Sequence, residues 1–229
     1  MMKSKRYRSA QEKVEAGKSY DLQQAFTTLF SFPAAKFDET AELALHLAVD
    51  PMQSDQMVRG IVQLPHGNGK KVRIIAFTKD APAALQAGAC EAGMADLIEK
   101  IKGGWLDFDI AVATTEAMKE VKSLARILGP KGLMPNPKAG TVTDDLVPCI
   151  EALKKGRVEF KMDKDANVHL GIGKRSFGLE ALIENVQAAL EAIRHARPSV
   201  FRGKLVLNGA ISFTMSPSVL LEPSIFAKF

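Results

Sequence analysis

Nowhere does the 229-residue chain run for long without charge: it lacks the roughly 18 consecutive apolar residues that a bilayer-crossing helix needs. Its basic start, MMKSKRYRSAQEKVEAGK, is not followed by the apolar segment of a secretory signal. No membrane association is therefore expected, and the chain is expected in the cytoplasm. Cysteine is scarce. Cys90 and Cys149 are far apart and neither belongs to a CxxC pair, so two buried, reduced thiols are expected and no disulfide or metal site.

Phosphate-binding glycine patterns are missing too. A P-loop needs a glycine five positions before its Gly-Lys pair, but Gly69-Lys70 has Leu64 there and Gly173-Lys174 has Val168. Neither Gly67-Asn68-Gly69 nor Gly171-Ile172-Gly173 is completed by the third glycine of a dinucleotide fingerprint. The four histidines, His46, His66, His169 and His195, have no metal-ligand spacing. Asp107 and Asp109 share a face of an extended segment, but solvated or capping carboxylates explain them better than an acid/base pair does. No cofactor, no metal and no catalysis are expected.

What is present is positive charge. A formal net charge of +5 favours a polyanionic partner, because cations that neutralise phosphates release condensed counterions. Its distribution sharpens the reading. Lys3, Lys5, Arg6, Arg8, Lys13 and Lys18 crowd the start, and Lys154, Lys155, Arg157, Lys161, Lys164, Lys174 and Arg175 crowd the later part.

The length exceeds the roughly 100 to 150 residues of one typical domain, so two are expected. Residues 6–16 read as a polar helix and 22–30 as a second, ended by Pro33. From Phe37 the period becomes two: Phe37, Ala41, Leu43, Leu45, Leu47 and Val49 on one face, Asp38, Thr40, Glu42 and His46 on the other. A second alternating run, 56–64, suggests an antiparallel partner for it. Continuous apolar runs at 72–77 and 108–113 then alternate with helical stretches at 82–90 and 95–102, the pattern of a parallel sheet covered on both faces. Further helices are expected around 116–125 and 144–154. After them strand-like alternation resumes: a hairpin of 157–162 and 167–172 across DKDA, a helix striped by Leu179, Leu182, Ile183, Val186, Leu190 and Ile193, a last strand at 205–214, and an irregular apolar tail.

The expected architecture mixes α+β and α/β. Residues 1–64 and 156–229, the two chain ends, form one split α+β domain with an antiparallel sheet. Residues 65–155 form an inserted Rossmann-like α/β domain, with a glycine-bearing hinge near Leu64-Pro65 and Lys155-Gly156. Within the insert, RILGPKGLMPNPKAGT alternates Gly129, Gly132 and Gly140 with Pro130, Pro135 and Pro137. This is a shaped loop around Lys131 and Lys138, suited equally to contacting RNA or capping its domain.

The segments KFDETAEL, SDQMVRGIVQLPHGNGK, GWLDFD, GPKGLMPNPKAGTV, GRVEFKMDK, HLGIGKRSF and TMSPSV occur in that order over nearly the whole chain. They resemble the bacterial ribosomal protein L-one family. The resemblance implies a monomeric structural constituent of the large ribosomal subunit's mobile stalk, binding large-subunit ribosomal RNA. It further implies repression of the protein's own mRNA and contact with departing deacylated tRNA. Carried across by motif, the RNA-binding residues are Phe37 and Thr40, with Ser212, Thr214, Met215 and Ser216. Lys36, Arg157, Lys161, His169, Lys174 and Ser176 are their neighbours. Hydroxyls would bond ribose and phosphate, Phe37 and Met215 would pack on sugar or base faces, and the cations would supply the salt-dependent attraction. One departure stands out: the family carries glycine after Thr-Met, where this chain has Ser216. A positive φ there would cost serine about 1 kcal/mol.

Overall fold

The computed structural model describes residues 4–15, 17–137 and 140–226. Lys3, the Ala16 end of the first expected helix, Lys138 and the end of the apolar tail lie outside the described residues. In chain order the elements are α1 (Lys5–Gln11), β1 (Ser19–Tyr20), α2 (Leu22–Phe30), β2 (Thr40–Leu47), β3 (Arg59–Gln63), β4 (Ile74–Phe77), α3 (Ala81–Gln86), β5 (Glu91–Gly93) and α4 (Ala95–Lys102). There follow β6 (Ile110–Ala113), α5 (Met118–Val121), α6 (Ala125–Leu128), α7 (Leu146–Lys154), β7 (Arg157–Lys161), β8 (Asn167–Lys174), α8 (Leu179–His195), β9 (Val206–Phe213) and β10 (Val219–Leu221). The chain divides into two compact units, Met1–Gly69 with Val158–Phe229, and Lys70–Arg157. The mixed α+β and α/β class matches the reading of the sequence.

In the discontinuous unit a sheet of order β1-β10-β9-β2-β8 is antiparallel except at the β1–β10 edge. Alternation along β2 sends Ala41, Leu43, Leu45 and Leu47 into the core and leaves Glu42 and His46 exposed. The inner face packs on α2, through Ala25, Phe26 and Leu29, and on α8, through Leu182, Val186, Ala189, Leu190 and Ile193. One face of β2 and its neighbours β8 and β9 is thus left to solvent, as antiparallel sheets allow.

Three expectations about strands fail here. Phe37 lies outside β2, which begins only at Thr40, so it is not on the core face. The run at 56–64 does not pair with β2; both edges of β2 are occupied, by β8 and by β9, and β3 pairs with β7 instead. The DKDA turn exists, with the Asp163 amide donating to the Asn167 carbonyl at 2.8 Å. Yet the strands it joins enter different sheets. In the last two cases the winner is a pairing distant in sequence, which local alternation cannot reveal. The apolar tail is not irregular either: it supplies β10 and a buried Phe226.

The continuous unit has a parallel sheet of order β5-β4-β6. Ile75 and Phe77 face one apolar cluster with Leu97, Ile98 and Ile101 of α4. Ile74 and Ala76 face another with Leu146, Ile150 and Leu153 of α7. Burial on both faces is why these strands read as continuous apolar runs. Cys149 is buried but Cys90, beside the edge strand β5, is exposed, against expectation. In the glycine-proline loop Leu133 and Met134 pack on the first of these clusters, and the Leu133 amide donates to the Leu128 carbonyl at 3.0 Å. That segment caps its unit.

Candidate nucleic-acid interface

At the Thr40 end of β2 several elements converge. A bulge makes the register skip from Ala41↔Gly173 to Glu42↔Gly171, so one extra residue of β8 is absorbed and the alternation beyond it is reset. Lys174 is thereby aligned with Thr40, and its Nζ donates to Thr40 Oγ1 at 2.7 Å. Across the other edge, the Thr40 amide donates to Thr214 Oγ1 at 3.0 Å and the Thr214 amide donates to the Thr40 carbonyl at 3.0 Å. The Thr214 hydroxyl in turn lies 3.3 Å from the Thr40 carbonyl. Thr214 therefore works inward, as a latch between strand ends.

Beyond Thr214 the chain makes a tight turn in which the Ser216 amide donates to the Phe213 carbonyl at 2.9 Å. The positive φ sits at Met215, 65°, and not at Ser216, so the strain expected of the serine falls one residue before it. Ser216 Oγ accepts from the Phe213 amide and donates to the Pro217 carbonyl, both at 3.0 Å. The serine that departs from the family pattern is a structural part of the turn. Met215 is held there with 69% of its surface exposed, and Phe37 is exposed to 55%. A long apolar side chain in the left-handed region costs about 1–2 kcal/mol, and exposure recovers little of it. Replacing Met215 with glycine is expected to raise the unfolding free energy by about 0.5–1 kcal/mol, the cost relieved less glycine's greater chain entropy. Urea denaturation checks this, and a lowered midpoint would contradict the strain.

Behind the exposed residues lies a buried ionic network that the sequence did not disclose. Glu39 is 1% exposed. Its Oε1 pairs with Arg6 Nη1 at 3.1 Å and its Oε2 with Arg175 Nη1 at 2.6 Å. Arg175 Nη2 donates to the Phe30 and Phe32 carbonyls, at 3.0 and 2.9 Å, and its guanidinium lies over the Phe30 and Phe213 rings. Asp38 holds the next residue: it accepts from the Ser176 amide at 3.1 Å and from the Ser176 hydroxyl at 2.8 Å. Arg175 is 136 positions from Glu39 and Ser176 is 138 from Asp38, so no local pattern could have paired them.

Of the residues expected at the site, Lys36, Phe37, Thr40, Lys174, Ser176, Thr214, Met215 and Ser216 fall within these few segments. Ser212 lies opposite Glu42 on the solvent face of the sheet. His169 is farther along that face, opposite Ala44. Beside it Asp163 is held below the usual carboxylate range, chiefly by the Asn167 amide and less by His169 itself. Arg157 and Lys161 are not brought to the cluster; they lie on β7, in the separate two-stranded sheet.

The parallel unit has its own cleft at the carboxyl ends of its strands, the usual ligand position in such sheets. Thr78, Asp80, Thr114, Glu116 and Asp144 line it together with Lys79, whose charge is taken up by Glu116 at 2.8 Å. That lining repels phosphate and argues against a nucleotide enzyme there.

Comparison with known proteins points the same way. Residues 29–217 match the model of the ribosomal protein L1p/L10e family. The chain is 48% identical over 222 residues to a large ribosomal subunit protein uL1 of Leifsonia xyli, covering 96% of this chain and 97% of the relative. It is 48% identical over 225 residues to that of Cutibacterium acnes, covering 97% of each chain. It is 49% identical over 224 residues to that of Clavibacter michiganensis, covering 97% of this chain and 98% of the relative. A matched family model over most of the chain, and relatives close to half identical end to end, make this chain a member of the ribosomal protein L1p/L10e family.

Proposed function

We propose that the protein is a cytoplasmic, non-enzymatic component of the large ribosomal subunit that binds ribosomal RNA through the Thr40 end of its antiparallel sheet. The single observation that carries the reading is that the segments meeting there expose two apolar side chains, Phe37 and Met215, beside Lys174 and Ser176, whose side chains the protein itself holds. Apolar faces so presented suit sugars and unstacked bases, and Lys36, Lys174, Ser176 and Ser212 suit phosphates and 2′-hydroxyls. The relatives' names as large-subunit proteins support the location. The discontinuous domain, 1–64 with 156–229, is the RNA-binding one in this reading, and 65–155 is the insert. Repression of the protein's own mRNA would use the same surface on a similar RNA element, and contact with departing deacylated tRNA would come through movement of the stalk. These two roles rest on the family resemblance.

Filter binding to a stalk fragment of large-subunit ribosomal RNA tests the reading. The logarithm of affinity should fall linearly with the logarithm of salt concentration, each neutralised phosphate adding about 0.7–0.9 to the slope. Met215→Asp, checked for folding by circular dichroism, should bind at least about tenfold more weakly, since it removes an apolar contact and sets a carboxylate against phosphate. Wild-type affinity in that variant would take the turn out of the interface.

A further inference from the structure

We propose that Arg6, on the first helix, is a positioning residue for the RNA surface and not one of its phosphate contacts; this rests on the RNA-binding reading above. By sequence Arg6 is one cation among several near the start. In the fold it reaches the buried carboxylate, with Nη1 on Glu39 at 3.1 Å, while Nη2 lies 3.5 Å from the Met215 carbonyl. One guanidinium thus spans the two segments that present the exposed apolar residues: Glu39 is two positions after Phe37, and Met215 is itself the second.

The geometry explains why an arginine is needed. Glu39 has two oxygens and Arg175 satisfies one of them; the second needs a donor that can also extend to the turn. A forked planar cation does both at once, whereas an ammonium offers one compact point of charge. The turn needs the support because Met215 is in a backbone region that side-chain-bearing residues disfavour. Beyond the latch of Thr214 to Thr40, its own hydrogen bonds run from the Ser216 amide to the Phe213 carbonyl, from the Phe213 amide to the Ser216 hydroxyl and from that hydroxyl to the Pro217 carbonyl, all within a few neighbouring residues. The helix is well placed to deliver the side chain. Ser4 caps it by accepting from the Tyr7 amide at 3.2 Å, and Ala10 is buried in the core. Ordering this surface before RNA arrives spares the complex the entropy of ordering it on binding.

The test compares wild type with Arg6→Ala and Arg6→Lys in binding to the stalk RNA fragment across a salt series, with amide hydrogen exchange of Ser216 read on the free proteins. Arg6→Gln is run in parallel, keeping a neutral donor toward Glu39, so that the comparison stands if the alanine variant unfolds. Arg6→Ala should bind about tenfold more weakly, the equivalent of one charge-assisted hydrogen bond. Its salt slope should be unchanged, and its Ser216 amide should exchange faster than in wild type. Arg6→Lys should recover only part of the affinity. A slope reduced by about one would instead make Arg6 a direct phosphate contact and overturn the proposal. Unchanged affinity, or unchanged exchange at Ser216, would overturn it as well. Failure of wild type to bind the fragment would remove the RNA reading itself, and this proposal with it.

Discussion

Glu39→Ala is expected to lower the unfolding free energy by about 3–5 kcal/mol, because breaking a buried ion pair from one side strands the other charge. Arg175 is the stranded partner. Its side chain is only 18% exposed, and without the carboxylate its guanidinium would retain two backbone carbonyls and two aromatic faces but no counter-charge from Glu39. Arg6, at 30% exposure, can turn toward water and loses less. The effect should therefore belong mainly to the Glu39–Arg175 pair, and a double-mutant cycle can isolate it. Glu39→Leu with Arg175→Met should recover much of the loss, since replacing both partners removes the stranded charge. Recovery should be incomplete, because the Phe30 and Phe32 carbonyls then lose their donor. Urea denaturation followed by circular dichroism measures each corner, and a loss below about 1 kcal/mol for Glu39→Ala would mean the pair behaves like a solvated surface bridge.

The second large effect is predicted for the chain's apolar end. Phe226 is 2% exposed and its ring fills the space above Gly209 on β9: a methyl group built on that glycine would lie 2.4 Å from Phe226 Cζ and 2.9 Å from Leu45 Cδ2. Ring and glycine are thus two halves of one contact. Phe226→Ala should cost about 3–5 kcal/mol through lost burial and the cavity left behind. Gly209→Ala should also destabilise, by overpacking. The informative result is the pair together. The added methyl group would occupy part of the cavity, so the double variant should lose less than the two single losses combined, a coupling that thermal unfolding of the four proteins can resolve. Strict additivity would count against direct packing.

Both predictions concern features that carry no local signature, and they mark where the sequence was legible. Composition and periodicity sufficed for the mixed fold class, for the parallel sheet with its doubly buried strands, and for the apolar stripe of α8, because each of these leaves its period in consecutive residues. The cluster of Phe37, Thr40, Thr214 and Met215 came from the family resemblance, not from spacing. Thr40 and Thr214 are 174 positions apart, and the pairing of β2 with β9 is what unites them.

What the sequence by itself determined is therefore where most of the longer strands and helices lie, that they build two units and which family they resemble. The tertiary structure decided which strands pair, and so which side chains meet. It moved Phe37 off the core face, because β2 starts only at Thr40. It gave Thr214 and Ser216 hydrogen bonds within the protein, and shifted the strained residue to Met215. It also drew Arg6 out of the basic cluster into a buried network. The physical reason is common to all of these: a hydrogen bond or ion pair depends on distance in space, and a sheet whose neighbouring strands are far apart in the chain sets those distances without leaving a trace in the order of residues.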